Sequence, residues 1–313
     1  MLVLLFPGQG SQAVGMGREL ADAFPEAKAV FEEVDEALGE KLSATIFDGP
    51  QDALTLTANA QPALMAVSMA ALKALESLGF EPTRASYVAG HSLGEYSALA
   101  AAKALSITDA AKLLRLRGEA MQSAVPVGEG AMAALMGLEI ADVERLCAEA
   151  GCEVANDNGG GQVVVSGRKT AVDRVCDLAK EAGAKRAVPL PVSAPFHSSL
   201  MRPAADAMRD ALAGAEVHAA LVPLVSNVRA EPISHPNDIK QDLVAQVTGR
   251  VRWRETMDMM VENGVNRVWE VGAGKVLSGL YRRADRDAQC FALGTPDGVR
   301  AAWDEYRAAN SDL

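Results

Sequence analysis

Aromatic residues, cysteines and histidines are all scarce in this sequence. Aromatic side chains make up 4% of the 313 residues, and there are only four cysteines and four histidines. The cysteines form no C-x-x-C pair, and none lies at metal-ligand spacing from a histidine. We therefore expect reduced thiols and no metal site. The four cysteines are Cys147, Cys152, Cys176 and Cys290.

Long apolar runs and positive charge are lacking as well. No run of about 18 apolar residues occurs, so we expect no membrane span. The apolar residues 2–6 reach Pro7 and Gly8 too soon for a signal peptide, and we expect a cytoplasmic protein. Basic residues number 30 against 41 acidic ones, which gives a net charge of −11. Because nucleic acid binding needs a basic field, we expect no nucleic acid partner, and an anionic ligand needs a local site.

Apolar residues are abundant and follow patterns typical of an α/β protein. They make up 49% of the chain, enough for a large core. Residues 2–6 and 86–89 are short apolar runs that end at proline or glycine, which indicates buried strands. Segments 93–103 and 106–123 have helical spacing, and Ser106 is the predicted cap of the second. This alternation of strand, turn and helix predicts an α/β sheet.

The middle of the chain has a different order of elements. Between residues 128 and 192 the predicted order is β-α-β-β-α-β, the ferredoxin-like unit. Prolines flank this segment, and the α/β pattern resumes after it. We therefore predict a large α/β subdomain formed by residues 1–127 and 193–313, into which residues 128–192 are inserted as a small subdomain.

The sharpest local motif is Gly90-His91-Ser92-Leu93-Gly94, which fits G-x-S-x-G between a predicted strand and a predicted helix. A sharp turn of this kind lifts a serine hydroxyl off the end of a sheet. The helix that follows directs its N-terminal N–H groups at developing negative charge. Ser92 is therefore the candidate nucleophile.

A nucleophilic serine needs a base, and His197 is the favoured histidine. It lies in a loop just before a predicted helix and just after the inserted unit. An imidazole there can take the Ser92 proton and return it to a leaving thiol. His91 adjoins Ser92, but neighbours on a sharp turn usually diverge. His218 and His235 lie in polar segments typical of a surface.

Two further features bear on an anionic substrate. Arg117 lies on predicted helix 106–123 beside an apolar stretch. It is either a solvated surface charge or a buried guanidinium that grips a carboxylate through two parallel hydrogen bonds. The glycine loop at residues 6–12 fits neither the dinucleotide-binding motif nor the P-loop. We interpret it as the source of a backbone N–H donor for an oxyanion.

Taken together, these segments resemble one family, the malonyl-CoA:acyl carrier protein transacylases of fatty acid synthesis, to which acyltransferase domains of polyketide synthases are related. The matching segments follow the family's order and span nearly the whole chain. They are residues 6–12, 61–64, 90–96, 117–118, 161–167, 195–198, 246, 251–253, 270–272 and 274–277. The chain departs from the common family pattern at Gly159-Gly160, where many members have Ser-Pro, and at Ala273, where many have proline.

The resemblance implies a catalytic role for five residues. Ser92 resembles the nucleophile and His197 its base. The backbone N–H groups of Gln9 and Leu93 match the oxyanion hole. Gln246 matches the position whose main-chain carbonyl orients the histidine, so the family needs no third acidic residue.

The resemblance also implies which residues contact the substrate. Arg117 matches the clamp for the malonyl carboxylate, and Gln9 and Gln61 lie in matching segments that line the substrate site. Phe196 resembles the malonyl-selecting form of its motif, because a bulky ring beside the substrate's Cα disfavours a methyl branch. One methyl group is worth only about 1–3 kcal/mol of discrimination.

The activity implied by the resemblance is transfer of a malonyl group from malonyl-CoA to acyl carrier protein, through an ester on Ser92. The implied fold is an α/β-hydrolase-like large subdomain with a ferredoxin-like small one. We expect a monomer that needs no cofactor, since the coenzyme A thioester is a substrate. A serine thioesterase or esterase is the first alternative, although such hydrolases usually carry their histidine near the C-terminus. A scaffold that binds acyl chains or carriers without catalysis is the second.

Overall fold

Two β-sheets with helices packed around them form the protein, which a computed structural model describes over residues 1–192 and 194–310. The predicted mixed α/β class is confirmed. The strands are β1 (Leu2–Phe6), β2 (Tyr87–Gly90), β3 (Gly130–Met136), β4 (Glu153–Asp157), β5 (Gln162–Arg168), β6 (Arg186–Pro189), β7 (Leu224–Val225), β8 (Pro232–Ile233), β9 (Arg267–Glu270) and β10 (Gln289–Ala292). The α-helices are α1 (Arg18–Ala23), α2 (Pro25–Leu38), α3 (Leu42–Asp48), α4 (Gln51–Thr55), α5 (Thr57–Ser77), α6 (Gly94–Ala101), α7 (Ile107–Ser123), α8 (Ile140–Ala150), α9 (Lys169–Glu181), α10 (Arg202–Gly214), α11 (Pro236–Thr248), α12 (Trp253–Glu262), α13 (Val276–Ala284) and α14 (Pro296–Ala309).

The large sheet has six strands in the order β10-β9-β1-β2-β7-β8. Strand β1 pairs in parallel with β2 and with β9, and the short β8 runs antiparallel at one edge. All residues of β1 are buried, which explains its uninterrupted apolar sequence, because helices cover both faces of a parallel sheet. The carboxyl ends of β1 and β2 lie side by side, and ligands of open α/β sheets bind at this edge.

The small sheet has four strands in the order β4-β5-β3-β6, and each neighbouring pair is antiparallel. Helices α8 and α9 pack against it through apolar side chains that form a separate core cluster. The chain order in this region is β3, α8, β4, β5, α9, β6, which is the order predicted from the sequence.

The edge strand β4 joins the small sheet to the segment between α11 and α12. Asn156 forms a parallel bridge with Val251, and the Asp157 N–H donates to the Val251 carbonyl at 3.0 Å. The buried Asp157 carboxylate also accepts a hydrogen bond from Arg254 Nε at 2.9 Å. These contacts place one end of the small sheet beside the carboxyl edge of the large sheet.

Several elements are absent from the sequence-based predictions. Helices α1, α3 and α4 have only five to seven residues each, too short to show helical periodicity. The apolar spacing of residues 242–247 predicts a helix there, but helix α11 begins earlier, at Pro236. The His235 side chain accepts a hydrogen bond from Asn237 N and so supports an extra turn that apolar spacing does not show. By contrast, Ser106 caps α7 as predicted, accepting from Asp109 N.

Two features of the described residues bear on the expectations about membranes and thiols. None of their helices is both long and apolar enough to cross a membrane. Each of the four cysteines is free, and Cys290 is the most exposed of them.

Candidate active site

The turn between β2 and α6 carries Ser92 in an unusual backbone conformation. Its φ angle is 54°, a left-handed value that is strained for a residue with a side chain. A Cβ atom at Gly90 would lie 1.9 Å from the backbone of Gly94, and one at Gly94 would lie 2.3 Å from the Phe6 carbonyl oxygen. Only glycine fits at these two positions, which is the physical reason for the G-x-S-x-G spacing.

Ser92 and His197 contact each other across the fold. Ser92 Oγ lies 2.7 Å from His197 Nε2. His197 is buried in the loop before α10, and it also has a positive φ, of 55°. The structure therefore brings together the nucleophile and the base that the sequence predicted, in the geometry that proton transfer requires.

The second ring nitrogen of His197 fixes its tautomer. Nδ1 lies 2.8 Å from the carbonyl oxygen of Gln246 and 3.1 Å from that of Gly249. Because carbonyls only accept, Nδ1 carries the hydrogen, and Nε2 presents a lone pair to the Ser92 hydroxyl. Gln246 lies in the last turn of α11, whose final carbonyls have no partner within the helix. The negative end of α11 thus faces the ring where an acidic residue would stand in a triad.

The electrostatic surroundings keep His197 neutral. Burial lowers the pKa of His197 to about 3, and the positive charge of Arg117 acts in the same direction. The hydrogen bond to the Gln246 carbonyl opposes this shift. At neutral pH the imidazole is therefore in the form that can accept a proton.

Arg117 is a buried guanidinium, one of the two interpretations left open by the sequence. Its side chain is 1% exposed. Nη1 donates to Gln61 Oε1 at 2.7 Å, and Nη2 donates to Gln246 Oε1 at 2.8 Å and to Ser92 Oγ at 3.1 Å. Both amide partners are neutral, and within residues 1–192 and 194–310 Arg117 forms no ion pair. Burial lowers the pKa of Arg117 from its very high ordinary value.

A cavity of about 250 Å³ opens beside Ser92. A cavity of this size has room for a short acyl group. Met121 and Met132 form part of its apolar wall. Every residue that the sequence singled out for the site, apart from Gln246, lines this cavity: Gln9, Gln61, Ser92, Leu93, Arg117, Phe196 and His197.

Gln9 and Leu93 reach the cavity from the ends of two adjacent strands. Gln9 follows β1, and its side chain donates to Thr57 Oγ1 at 3.1 Å. Leu93 directly follows Ser92 and precedes α6. Their positions are compatible with donation by both backbone N–H groups to an oxyanion, and that role remains a prediction.

Asn227 belongs to the site, but no sequence motif predicts it. Its Oδ1 accepts from the Ser92 N–H at 2.8 Å, and its Nδ2 donates to the Gly90 carbonyl at 2.8 Å. The side chain is fully buried and spans the turn that holds Ser92. The only indication of Asn227 in the sequence is that it is the polar residue at the end of the apolar run 221–227.

His91 contacts residues next to the small sheet. Its Nε2 lies 2.9 Å from Asn158 Oδ1, and its ring packs against Trp253 with centroids 5.3 Å apart. Burial lowers the pKa of His91. The neighbours His91 and Ser92 therefore have different partners, as expected for a sharp turn, and His91 ties this turn to the loop between β4 and β5.

Comparison with known proteins gives one consistent result. Residues 3–291 match the family described as acyl transferase domain. The malonyl CoA-acyl carrier protein transacylase of Bacillus subtilis is 45% identical over 316 aligned positions, which cover 99% of each chain. The crystal structure of an acyl-carrier-protein S-malonyltransferase from Bartonella henselae is 56% identical, with a TM-score of 0.95 and coverage of 97% of this chain and 98% of that one.

A third relative was solved with a partner. It is a malonyl-transacylase in complex with its type II polyketide synthase acyl carrier protein, and it is 40% identical, with a TM-score of 0.94 and coverage of 97% of this chain and 99% of that one. The agreement extends over nearly the full length of every chain compared. The protein therefore belongs to the malonyl-CoA:acyl carrier protein transacylase family.

Proposed function

We propose that the protein transfers a malonyl group from malonyl-CoA to the phosphopantetheine thiol of an acyl carrier protein. The observation that carries this proposal is the position of Ser92 Oγ, 2.7 Å from His197 Nε2 and 3.1 Å from Arg117 Nη2. A serine–histidine pair suits acyl transfer in general. A buried guanidinium beside the nucleophile suits an acyl group that ends in a carboxylate.

In the first half-reaction, Ser92 Oγ attacks the thioester carbonyl while His197 Nε2 takes the hydroxyl proton. The O–C bond forms, the C–S bond breaks, and the proton passes from His197 to the departing coenzyme A thiolate. A malonyl ester of Ser92 remains. The backbone N–H groups of Gln9 and Leu93 stabilise the oxyanion, and the carbonyl of Gln246 stabilises the transient imidazolium.

In the second half-reaction, the carrier's thiol is the nucleophile. His197 takes the thiol proton, the sulfur attacks the ester carbonyl, and the proton returns to Ser92 Oγ as the ester bond breaks. The related malonyl-transacylase solved with its acyl carrier protein supports a carrier as the acceptor.

Arg117 and Phe196 select the acyl group in this proposal. Arg117 turns two N–H groups from its amide partners, Gln61 and Gln246, to the malonyl carboxylate, which is the stronger acceptor because it is charged. Phe196 packs at the cavity wall and limits the space for a branch at the malonyl Cα.

We further propose that the large sheet and its helices form an α/β-hydrolase-like subdomain of residues 1–127 and 193–313, with a ferredoxin-like subdomain at residues 128–192. The antiparallel strand order β4-β5-β3-β6 supports the second assignment. Ser193, where the chain is predicted to re-enter the large subdomain, and residues 311–313 lie outside the described residues. The proposal also includes a monomeric state and no cofactor.

Transfer can be separated from hydrolysis in one assay. The protein is mixed with malonyl-CoA and a carrier that bears phosphopantetheine, and malonyl-carrier, free malonate and coenzyme A are measured over time. The matched control is the same carrier without phosphopantetheine. We expect malonyl-carrier with the first carrier, no acylation of the second, and little malonate in either case. Equal release of malonate with both carriers would instead identify a thioesterase.

A further inference from the structure

A buried carboxylate with no role in the proposed reaction lies directly behind the cavity. Glu95, in the first turn of α6, is 1% exposed. Its Oε1 accepts from the Asn227 N–H at 2.6 Å, and its Oε2 accepts from Gln246 Nε2 at 2.5 Å. Burial disfavours an ionised carboxylate and is tolerated when donors compensate it. Both donors here belong to residues that hold the active site.

The side-chain amide of Gln246 can satisfy its neighbours in only one orientation. Its Oε1 faces Arg117 Nη2 at 2.8 Å, and its Nε2 donates to the Ser92 carbonyl at 2.9 Å. Arg117 can only donate and the Ser92 carbonyl can only accept. Glu95 Oε2 accepts from Gln246 Nε2, so Glu95 enforces this same orientation.

The charge arrangement explains why an amide rather than a carboxylate touches Arg117. A carboxylate in direct contact would form a two-bonded ion pair and occupy the N–H groups that the substrate's carboxylate needs. A neutral amide is a weaker acceptor and is more easily displaced. Glu95 lies one side chain further back, where it holds the Gln246 amide by a hydrogen bond and leaves the N–H groups of Arg117 free of a carboxylate.

We propose that Glu95 is a positioning residue that sets the selectivity for a carboxylated acyl group, by fixing Gln246 and through it Arg117. This inference rests on the proposed malonyl transfer. It assigns no contact between Glu95 and the substrate. What Glu95 controls is the direction in which Arg117 presents its N–H groups beside Ser92.

The variant Glu95→Gln tests this inference with almost no change of shape. A glutamine there places an N–H₂ group against either the Gln246 amide or the Asn227 N–H, so one donor faces another and the Gln246 amide loses its fixed orientation. We expect the ratio of the Ser92 acylation rate with malonyl-CoA to that with acetyl-CoA to fall at least about tenfold, as expected for a shift of about 1.4 kcal/mol. Single-turnover measurements by intact-protein mass give both rates.

Glu270→Gln is the matched control. Glu270 is also fully buried and also accepts two N–H bonds, from Leu277 and Ser278 at the start of α13, outside the catalytic site. Its substitution is expected to lower stability and leave the acyl-group ratio unchanged. Equal losses with both thioesters in Glu95→Gln, or an unchanged ratio, would overturn the inference and leave Glu95 a structural residue.

Two further outcomes, an inactive wild type and a variant that does not fold, can be distinguished from failure of the inference. Failure of the wild type to acquire a malonyl group would overturn the proposed function itself, before any variant is considered. If Glu95→Gln does not fold, Glu95→Asp is the second variant: it keeps a buried carboxyl acceptor but is one methylene shorter, so it can no longer reach both Asn227 N and Gln246 Nε2. We expect this protein to fold with a low malonyl-to-acetyl ratio, and a ratio equal to that of the wild type would refute the inference.

Discussion

At the scale of single residues, the site depends on a histidine whose protonation is set by its surroundings. His197 has carbonyl acceptors at Nδ1, a hydroxyl at Nε2 and a buried cation nearby. Burial and the charge of Arg117 favour the neutral ring, and the carbonyl acceptors, although they raise the pKa, keep the hydrogen on Nδ1 and the Nε2 lone pair directed at Ser92. Serine activation therefore needs no carboxylate, because the end of helix α11 supplies the acceptor that fixes the ring.

Removal of the imidazole should abolish most of the activity. For His197→Ala we expect the Ser92 acylation rate to fall about 10²–10⁴-fold, the range for loss of a general base. Rapid-quench mass measurement of the acyl-enzyme provides the rate. The exposed His218, replaced by alanine in the same way, controls for general effects of the substitution. Acylation at an undiminished rate in His197→Ala would show that another group is the base.

Arg117 should control which acyl group reacts. In Arg117→Ala the cavity loses the partner of the malonyl carboxylate, so kcat/KM for malonyl-CoA should fall while the relative use of acetyl-CoA rises. Parallel assays with the two thioesters give the comparison. Loss of both activities by the same factor would contradict a role in selecting the carboxylate and would point to a purely structural arginine.

The sequence predicted those site residues that have a local motif or a scarce residue type. Ser92 lies in a glycine-bracketed turn, and His197 was one of only four histidines. Asn227 could not be predicted, because an asparagine at the end of an apolar run has no distinctive pattern. It acts through a contact between positions 135 residues apart, and pairing of that kind is set by the tertiary fold.

At the scale of elements, the turn from β2 to α6 is the most constrained part of the protein. The segment must bend sharply enough to bring Gly94 against the end of β1. This close approach explains the spacing of two glycines around Ser92 better than flexibility does, because Gly90 and Gly94 are not among the residues with positive φ.

A single methyl group should disrupt this turn. Gly94→Ala would place Cβ 2.3 Å from the Phe6 carbonyl oxygen, and we expect a loss of about 1–3 kcal/mol in the free energy of unfolding, together with loss of acylation. Gly279→Ala is the control, since nothing lies within 4 Å of a Cβ there and alanine favours the helix. Chemical denaturation gives the free energy of unfolding of both variants. A Gly94→Ala protein as stable as the control would contradict the steric account.

Length alone did not decide which elements could be predicted. The 14-residue helices α2 and α14 were missed, whereas helix α7 and the buried strands β1 and β2 were predicted close to their observed bounds. The short helices between residues 18 and 55 were not, because one or two turns do not reveal a period. Strand β10 was also missed, since its alignment depends on pairing with β9, a partner that its own sequence does not identify.

At the scale of the whole molecule, the buried ionisable groups make stability depend on pH. The pKa of His197 is lowered to about 3 in the folded protein, compared with about 6.5 in an unfolded chain. Between these values the unfolded state binds more protons, so acid destabilises the fold. Glu95 acts in the opposite direction: burial raises its pKa to about 8, and its contribution to stability is lost as pH rises from about 4.5 to 8.

Comparison of the wild type with His197→Gln isolates the histidine, since Glu95 is present in both proteins. On lowering the pH from 7 to 5, the wild type should lose up to about 2 kcal/mol of unfolding free energy relative to the variant. Urea denaturation at the two pH values measures this difference. His218→Gln, at an exposed position, controls for loss of an imidazole elsewhere, and a wild type that is not preferentially destabilised by acid would contradict a buried neutral His197.

Residues from both sheet regions line the active-site cavity, so the geometry of the site depends on how the whole molecule folds. The cavity wall contains Met132 and Asn156 from the small sheet as well as Ser92 from the large one. The bridge between Asn156 and Val251 holds this arrangement together, next to the carbonyl of Gly249 that faces His197.

The most direct test of malonyl transfer through Ser92 is the intact mass of the protein after brief exposure to malonyl-CoA, for the wild type and for Ser92→Ala. We predict one malonyl adduct on the wild type, none on the variant, and rapid loss of the adduct when a carrier thiol is added. No adduct on the wild type, or an equal adduct on Ser92→Ala, would contradict the account.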